Sequence, residues 1–136
     1  MSDLGAMFAD MPSAFSVFDK EPQGFREFLG YTFDGTTGHL QGGDHLMGNP
    51  IIRAYHGGLS ASLLACTAED LAGAATQSNG FEFLSQHTHY LLPTAVDEPI
   101  SASGRIVKVG KRYATVAVSA FQNDDEVQTS IVTLQR

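Results

Sequence analysis

The segment His56-Gly57-Gly58 stands at the start of an apolar stretch and offers chemistry through its backbone. The first N–H groups of a helix have no partner within the helix, and the helix dipole adds partial positive charge there. Glycines expose these groups, because no side chain keeps a ligand away. Such donors can stabilise a carbonyl oxygen that becomes negative in a transition state. A tight strand-to-helix turn without chemistry would show the same pattern, so spacing alone leaves both interpretations open.

A second candidate site is a cluster of basic residues. The chain has 136 residues with 8 Lys and Arg against 15 Asp and Glu, a net charge of −7. Four of the eight basic residues fall within eight positions, namely Arg105, Lys108, Lys111 and Arg112. The acidic excess argues against a nucleic-acid partner, since phosphate contacts need many Lys and Arg side chains. The cluster itself could bind a small anion, or it could be a solvated hairpin turn.

These residues depend on the elements around them, of which a central helix over 57–75 is the clearest. Leu59, Leu63, Leu64, Thr67 and Leu71 form one helical stripe. Most of the other positions are Ala or Ser, and no charged residue occurs from Gly57 to Ala68. An ordinary surface helix would carry several charges. The pattern therefore predicts a mostly buried helix that is covered on more than one side.

The remaining segments predict strands, with two short helical pieces before them. Helical spacing indicates an N-terminal helical extension within 1–24 and a further turn over 23–29 that ends at Gly30. Alternation and turn residues predict strands near 28–34, 38–47, 81–92, 100–109, 113–122 and 127–134, with a turn at 123–125. The order predicts a single α+β domain over 1–136, with an antiparallel sheet wrapped around one long helix. The outer face of such a sheet favours oligomers.

The order of motifs resembles the hot-dog-fold thioesterase superfamily, most of all its phenylacetyl-CoA thioesterase-like branch. The resemblance is carried by HLMGNPIIRAYHGGLSASLLACTA, a following YLLP segment and a VKVGKR turn, and it covers roughly residues 25–134. It implies the hot-dog fold and hydrolysis of acyl-CoA thioesters, with coenzyme A as part of the substrate and no separate cofactor. It also implies sites between the two subunits of a homodimer, or of a dimer of dimers.

The resemblance assigns roles residue by residue. Gly57 would donate its N–H to the oxyanion, while His56 and Asn49 would shape the pocket or position the thioester and water. The turn that would meet the phosphates of coenzyme A consists of Lys108, Gly110, Lys111 and Arg112. Arg53 stands where the family often has glycine.

One departure from the family concerns the helix. The family's catalytic carboxylate lies seven residues after the second glycine, and Ala65 occupies that position here. Alanine can serve neither as a base nor as a nucleophile. Glu69, one turn further, or Ser62, one turn earlier, could compensate; alternatively, Glu69 is a solvent-facing residue and Ser62 a packing residue. Cys66 is expected to be a buried small residue.

Three functions therefore compete. The first is an acyl-CoA thioesterase, and the second is a non-catalytic acyl-CoA or acyl-carrier binding module that has lost its carboxylate. The third, an enoyl-CoA hydratase, would need an Asp–His dyad, for which Asp44-His45 is the only adjacent upstream pair. The pair His87 and His89 lacks a third ligand, so no metal site is expected. The single cysteine and the absence of a signal peptide or an 18-residue apolar run predict a cytoplasmic protein outside the membrane.

Overall fold

The computed structural model describes residues 24–78 and 80–136, and its main element is a six-stranded antiparallel sheet. The sheet order is β1-β2-β6-β7-β8-β5. Its strands are β1 (Thr32–Phe33), β2 (Gly38–Leu40), β5 (Glu82–Tyr90), β6 (Ile100–Val109), β7 (Tyr113–Gln122) and β8 (Asp125–Gln135). A separate short hairpin pairs β3 (Met47–Asn49) with β4 (Ala54–Tyr55). The short helix α1 (Phe25–Leu29) precedes the sheet, and a 3₁₀ turn covers Asp44–Leu46.

The long helix α2 (Gly57–Thr76) packs on one face of this sheet. Leu63, Leu64 and Ala68 are fully buried, and they meet the inward side chains of β6, β7 and β8, such as Val116 and Val132. Burying each leucine side chain stabilises the fold by roughly 1.5–3 kcal/mol. The predicted α+β fold, with an antiparallel sheet and one long helix, is confirmed. The helix is less buried than predicted, since seven of its 20 residues are buried and most of the others are half-buried.

Local signals placed several boundaries well. Gly30 ends α1 in the left-handed conformation, as expected, with its N–H donating to the carbonyls of the preceding turn. Asn123 and Asp124 both have positive φ and join β7 to β8 in a two-residue hairpin. The helical turn predicted over 23–29 is confirmed, so the strand predicted near 28–34 began too early at Phe28 and Leu29. The strand predicted over 38–47 was wrong at Asp44–Leu46, which form the 3₁₀ turn. The helical extension predicted within 1–24 lies almost wholly outside the described residues.

Within residues 24–78 and 80–136, strand β5 lies at the edge of the sheet and pairs only with β8. Apolar side chains on it stay exposed, among them Phe83 at 46% and Tyr90 at 55%. A long edge strand with apolar side chains is a surface that proteins usually cover. In the part of the chain that the structure describes, no helix is both long enough and apolar enough to cross a membrane.

Candidate active site

His56 is the N-cap of α2. Its Nδ1 accepts a hydrogen bond from the N–H of Gly58 at 3.1 Å, so the neutral ring carries its proton on Nε2. The carbonyl of His56 accepts the N–H groups of Leu59 and Ser60, each at 3.0 Å. The N–H of Gly57 finds no acceptor among residues 24–78 and 80–136. One free donor therefore remains at the positive end of the helix dipole.

Tyr90 covers Gly57 from the neighbouring strand β5. Its hydroxyl donates to the Gly57 carbonyl at 2.9 Å, and a Cβ on Gly57 would come within 3.3 Å of the tyrosine ring. The hydroxyl of Ser60 donates to the same carbonyl at 3.1 Å. The carbonyl of this glycine is thus fixed from two sides, while its N–H stays free.

Gln128 is a site residue that the sequence analysis missed. It lies on β8 beside Tyr90, its side chain faces α2, and the residue is only 2% exposed. Its Nε2 donates a short hydrogen bond to the Ser60 hydroxyl. Its Oε1 is buried and has no partner in the described chain. Leaving a buried acceptor unpaired costs roughly 1–3 kcal/mol, so this oxygen is expected to bind a donor such as a water molecule.

Gly57 and Gln128 line the same cleft of about 240 Å³. Tyr55, Ser60, Tyr90 and the segment 91–94 complete its walls. Burial raises the pKa of Tyr55 to about 12, and its hydroxyl donates to the Glu98 carbonyl at 2.8 Å. This tyrosine is therefore protonated at neutral pH and cannot act as a base there.

Asn49 lies on the hairpin that leads into the helix. Its Oδ1 accepts the N–H groups of Ile51 at 3.0 Å and Ile52 at 3.4 Å, which shapes the turn between β3 and β4. The adjacent Gly48 permits a close approach, since a Cβ there would lie 2.6 Å from the Cα of His56. Only the amide Nδ2 of Asn49 is left to bind a ligand.

Arg53 adopts a left-handed conformation with φ of +50°. This explains why glycine is suited to the position. The guanidinium makes two hydrogen bonds to Asp97, at 2.8 and 2.7 Å, and one to Asp44 at 2.6 Å. These contacts hold the pKa of Asp97 below its usual range and stabilise a loop that is otherwise strained.

Glu69 is bound within its own subunit. It accepts Nη2 of Arg26 at 3.0 Å and the N–H of Phe83 at 3.1 Å, and Arg26 also pairs with Asp70. Twelve residues separate Glu69 from Gly57, which is about 18 Å along α2. The structure therefore does not bring Glu69 to the Gly57 N–H of the same chain.

The other residues of α2 considered in the sequence analysis, Ser62, Ala65 and Cys66, have no carboxylate. Ser62 donates to the Gly58 carbonyl at 2.8 Å, and Ala65 is half-buried. Cys66 is 6% exposed, and burial raises the pKa of its thiol to about 11, so it is not a thiolate at neutral pH. No carboxylate of the described residues lines the cleft.

The basic turn between β6 and β7 forms a shallow cleft of about 390 Å³, lined by Lys108, Gly110, Lys111, Arg112, Tyr113 and Thr115. In the described ranges, none of its three basic side chains makes a salt bridge. Arg136 adds a further charge that the sequence analysis missed. Its Nε donates to the Lys111 carbonyl at 2.8 Å, and its guanidinium stacks 4.4 Å from the centre of the Phe81 ring. The charge and the concave shape of this turn are suited to binding an anion.

The basic turn and the helix terminus lie at opposite ends of the sheet. Gln128 pairs with Ala120 of β7, whereas the turn begins beside Tyr113 of the same strand. Seven residues of strand separate these positions, about 23 Å. One chain therefore does not place the two sites side by side.

The hydratase dyad does not form. Asp44 contacts Arg53, while Nε2 of His45 lies 3.1 Å from the Phe28 carbonyl. Across the described ranges, no group of three or more His, Cys, Asp and Glu residues is placed to hold a metal ion.

Comparisons with known proteins identify the family of this chain. The sequence model of the family described as the acyl-CoA thioesterase N-terminal domain matches residues 48–135. A search of curated protein sequences finds no significant match.

Three solved structures have the same fold. A Bacillus halodurans protein, solved with CoA, is 19% identical with a TM-score of 0.71, and the match covers 89% of this chain and 80% of that one. A phenylacetic acid degradation-related protein from Ralstonia eutropha is 19% identical over 90% and 98% of the two chains, with a TM-score of 0.70. A conserved Pseudomonas aeruginosa protein is 22% identical over 86% and 96%, with a TM-score of 0.68. The chain belongs to the acyl-CoA thioesterase N-terminal domain family and is a hot-dog-fold member of the thioesterase superfamily.

Proposed function

We propose that the protein is an acyl-CoA thioesterase whose reaction takes place at the N-terminus of α2. The thioester carbonyl oxygen accepts the Gly57 N–H, and the negative charge that develops on it is stabilised by this donor and by the helix dipole. The observation that carries the proposal is the pairing of this free donor with the unpartnered Oε1 of Gln128 in one cleft.

Gln128 orients the attacking water in this proposal. Its Oε1 accepts a hydrogen bond from one O–H of the water, so that a lone pair on the water oxygen is free to attack the thioester carbon. The new carbon–oxygen bond forms and the carbon–sulfur bond breaks, so that the products are a carboxylic acid and the thiolate of coenzyme A, which takes up a proton from solvent. An amide oxygen does not take up the proton at neutral pH. The proton therefore passes to a solvent base.

A second copy is also part of the proposal. If the edge strands β5 of two copies pair antiparallel, the Tyr90 end of one strand lies beside the Glu82 end of the other. Glu82 pairs with Gln135, next to Tyr113 and the basic turn. The partner's basic turn then lies near this chain's Gly57, where it can bind the phosphates of coenzyme A. A homodimer thereby joins the two clefts that one chain keeps apart.

The experiment is thiol release from a panel of acyl-CoA esters, with short, long and aryl-acetyl acyl groups. The wild-type protein is expected to hydrolyse at least one ester faster than the uncatalysed rate. Because the cleft of the described chain lacks a carboxylate base, we expect kcat/KM to rise with pH rather than to reach a plateau near neutrality. Absence of hydrolysis across the whole panel would refute the proposal.

The second candidate function is a binding module for acyl-CoA or acyl-carrier thioesters, and Ala65 is the observation that favours it. Hydrolysis would then be lost with the carboxylate, while the donor at Gly57 and the basic turn still bind the ligand. Ala65→Asp separates the two functions, with Ala65→Asn as the matched control. A binding module gains hydrolysis only in the Asp variant and binds acyl-CoA in calorimetry before that change. A hydrolase is active in the wild type already.

A further inference from the structure

We propose that Ser60 is a positioning residue that fixes which end of the Gln128 amide faces the cleft; this inference rests on the proposed function. Ser60 lies in the first turn of α2 and is 1% exposed. Its single hydroxyl proton goes to the Gly57 carbonyl at 3.1 Å. Toward Gln128 the hydroxyl therefore presents only a lone pair, and it accepts Nε2. The oxygen of the amide has to face away from Ser60.

The reversed amide makes one hydrogen bond fewer. In the observed arrangement, Tyr90 and Ser60 both donate to the Gly57 carbonyl, and Gln128 donates to Ser60. With the amide turned around, the Ser60 proton would have to move from the Gly57 carbonyl to Oε1. The observed orientation of the Gln128 amide is therefore favoured over the reversed one by one hydrogen bond of ordinary net strength, which corresponds to a population ratio of about two- to tenfold.

The orientation matters because the two ends of the amide treat a water molecule differently. Oε1 accepts a hydrogen bond from the water and leaves a lone pair of the water oxygen free for attack. An amide N–H would instead donate to that lone pair and withdraw it from the reaction. Ser60 thus acts on the chemistry through Gln128, without touching the substrate.

The test compares Ser60→Ala in two backgrounds, the wild type and Gln128→Glu. In the wild type, kcat is expected to fall about 1.3- to 1.8-fold with KM unchanged, because a two- to tenfold preference keeps about two thirds to nine tenths of the amides in the reactive orientation and its loss leaves about one half. In the Gln128→Glu background the same change is expected to leave kcat unchanged above the carboxylate's titration, because both carboxylate oxygens accept hydrogen bonds. Thr76→Ala is the control. It removes a similar hydroxyl bond to a helix carbonyl, 2.7 Å long, at the far end of α2, and kcat is expected to stay unchanged.

Equal losses in both backgrounds would show that Ser60 only supports the fold and would overturn the inference. So would an active wild type whose rate Ser60→Ala does not change. A wild type that hydrolyses no ester overturns the proposed function and this role together. If thermal melting shows that Gln128→Glu does not fold, Ser60→Cys and Ser60→Thr decide the matter. A lower kcat in Ser60→Cys, whose thiol forms only weak hydrogen bonds, together with a retained kcat in Ser60→Thr supports the inference. The reverse result contradicts it.

Discussion

Replacing Gly57 by proline removes the proposed oxyanion donor and almost nothing else. Gly57 is the first residue of α2, where proline is well tolerated because its missing N–H would have no helical partner. The preceding His56 has φ of −61° and ψ of 127°, the conformation that a residue before proline favours. No hydrogen bond within the described chain is lost, since the Gly57 N–H has no acceptor there.

The expected effect follows from the number of donors at the site. The described chain offers one free N–H at this helix end, so its loss removes the main stabilisation of the developing charge. Removing one oxyanion donor lowers kcat by about 10²- to 10³-fold, or roughly 2.7–4 kcal/mol. Binding of free coenzyme A is expected to stay the same, because its phosphates contact other residues.

Gly57→Ala is the matched control. It adds the same Cβ against Tyr90, 3.3 Å from the ring, but keeps the N–H. Alanine within a helix is more stable than glycine by roughly 0.5–1 kcal/mol, so this variant also controls for folding. Thiol release is measured for both variants on the best ester of the panel. A proline variant with a kcat within threefold of the alanine variant would refute the assignment of Gly57 as the oxyanion donor.

Three further predictions concern other parts of the molecule. The double variant Lys111→Ala/Arg112→Ala is expected to raise KM for acyl-CoA at least about tenfold at low salt. KM for an acyl-pantetheine substrate, which lacks the nucleotide phosphates, is expected to stay the same. Equal changes in KM for both substrates would contradict phosphate binding. Arg53→Gly is expected to be more stable than Arg53→Ala by about 1 kcal/mol in urea unfolding, because only glycine relieves the positive φ; equal stabilities would show that the backbone there is unstrained. Phe83→Lys on the edge strand is expected to weaken self-association at least about tenfold in sedimentation. Val107→Lys replaces a similarly exposed apolar residue on β6 and is expected to leave self-association unchanged. A dimer that tolerates Phe83→Lys is formed by another surface.

Local patterns in the sequence were enough to predict the long elements of the fold. The uncharged stretch after Gly57 indicated a long helix packed against the sheet, and its predicted end at 75 differs by one residue from Thr76. The hairpin at Asn123 and Asp124 follows from residues that tolerate positive φ. The error at Asp44–Leu46 has a physical reason: three residues of 3₁₀ turn carry no periodicity that distinguishes them from a strand.

The chemistry of the site was harder to predict, because it depends on contacts across the fold. Gln128 is distant in sequence from Ser60, and the only signal was its place on the inward side of β8, in step with Ser130, Val132 and Leu134. A polar residue in that row is unusual enough to be noticed. Histidine is not a preferred N-cap residue, so the role of His56 left no local signal. Arg26 lies far from Glu69 in sequence, so their ion pair was visible only in the structure.

The central claim is that hydrolysis depends on a water molecule held by Oε1 of Gln128 opposite the Gly57 N–H. Gln128→Met tests it most directly, because methionine has nearly the same length and volume but no hydrogen-bonding amide. The account predicts that kcat for the best acyl-CoA ester falls about 10- to 100-fold, because losing the buried hydrogen bond to the attacking water costs roughly 1–3 kcal/mol, while calorimetry finds coenzyme A binding unchanged. A methionine variant that hydrolyses the ester at the wild-type rate would contradict the account.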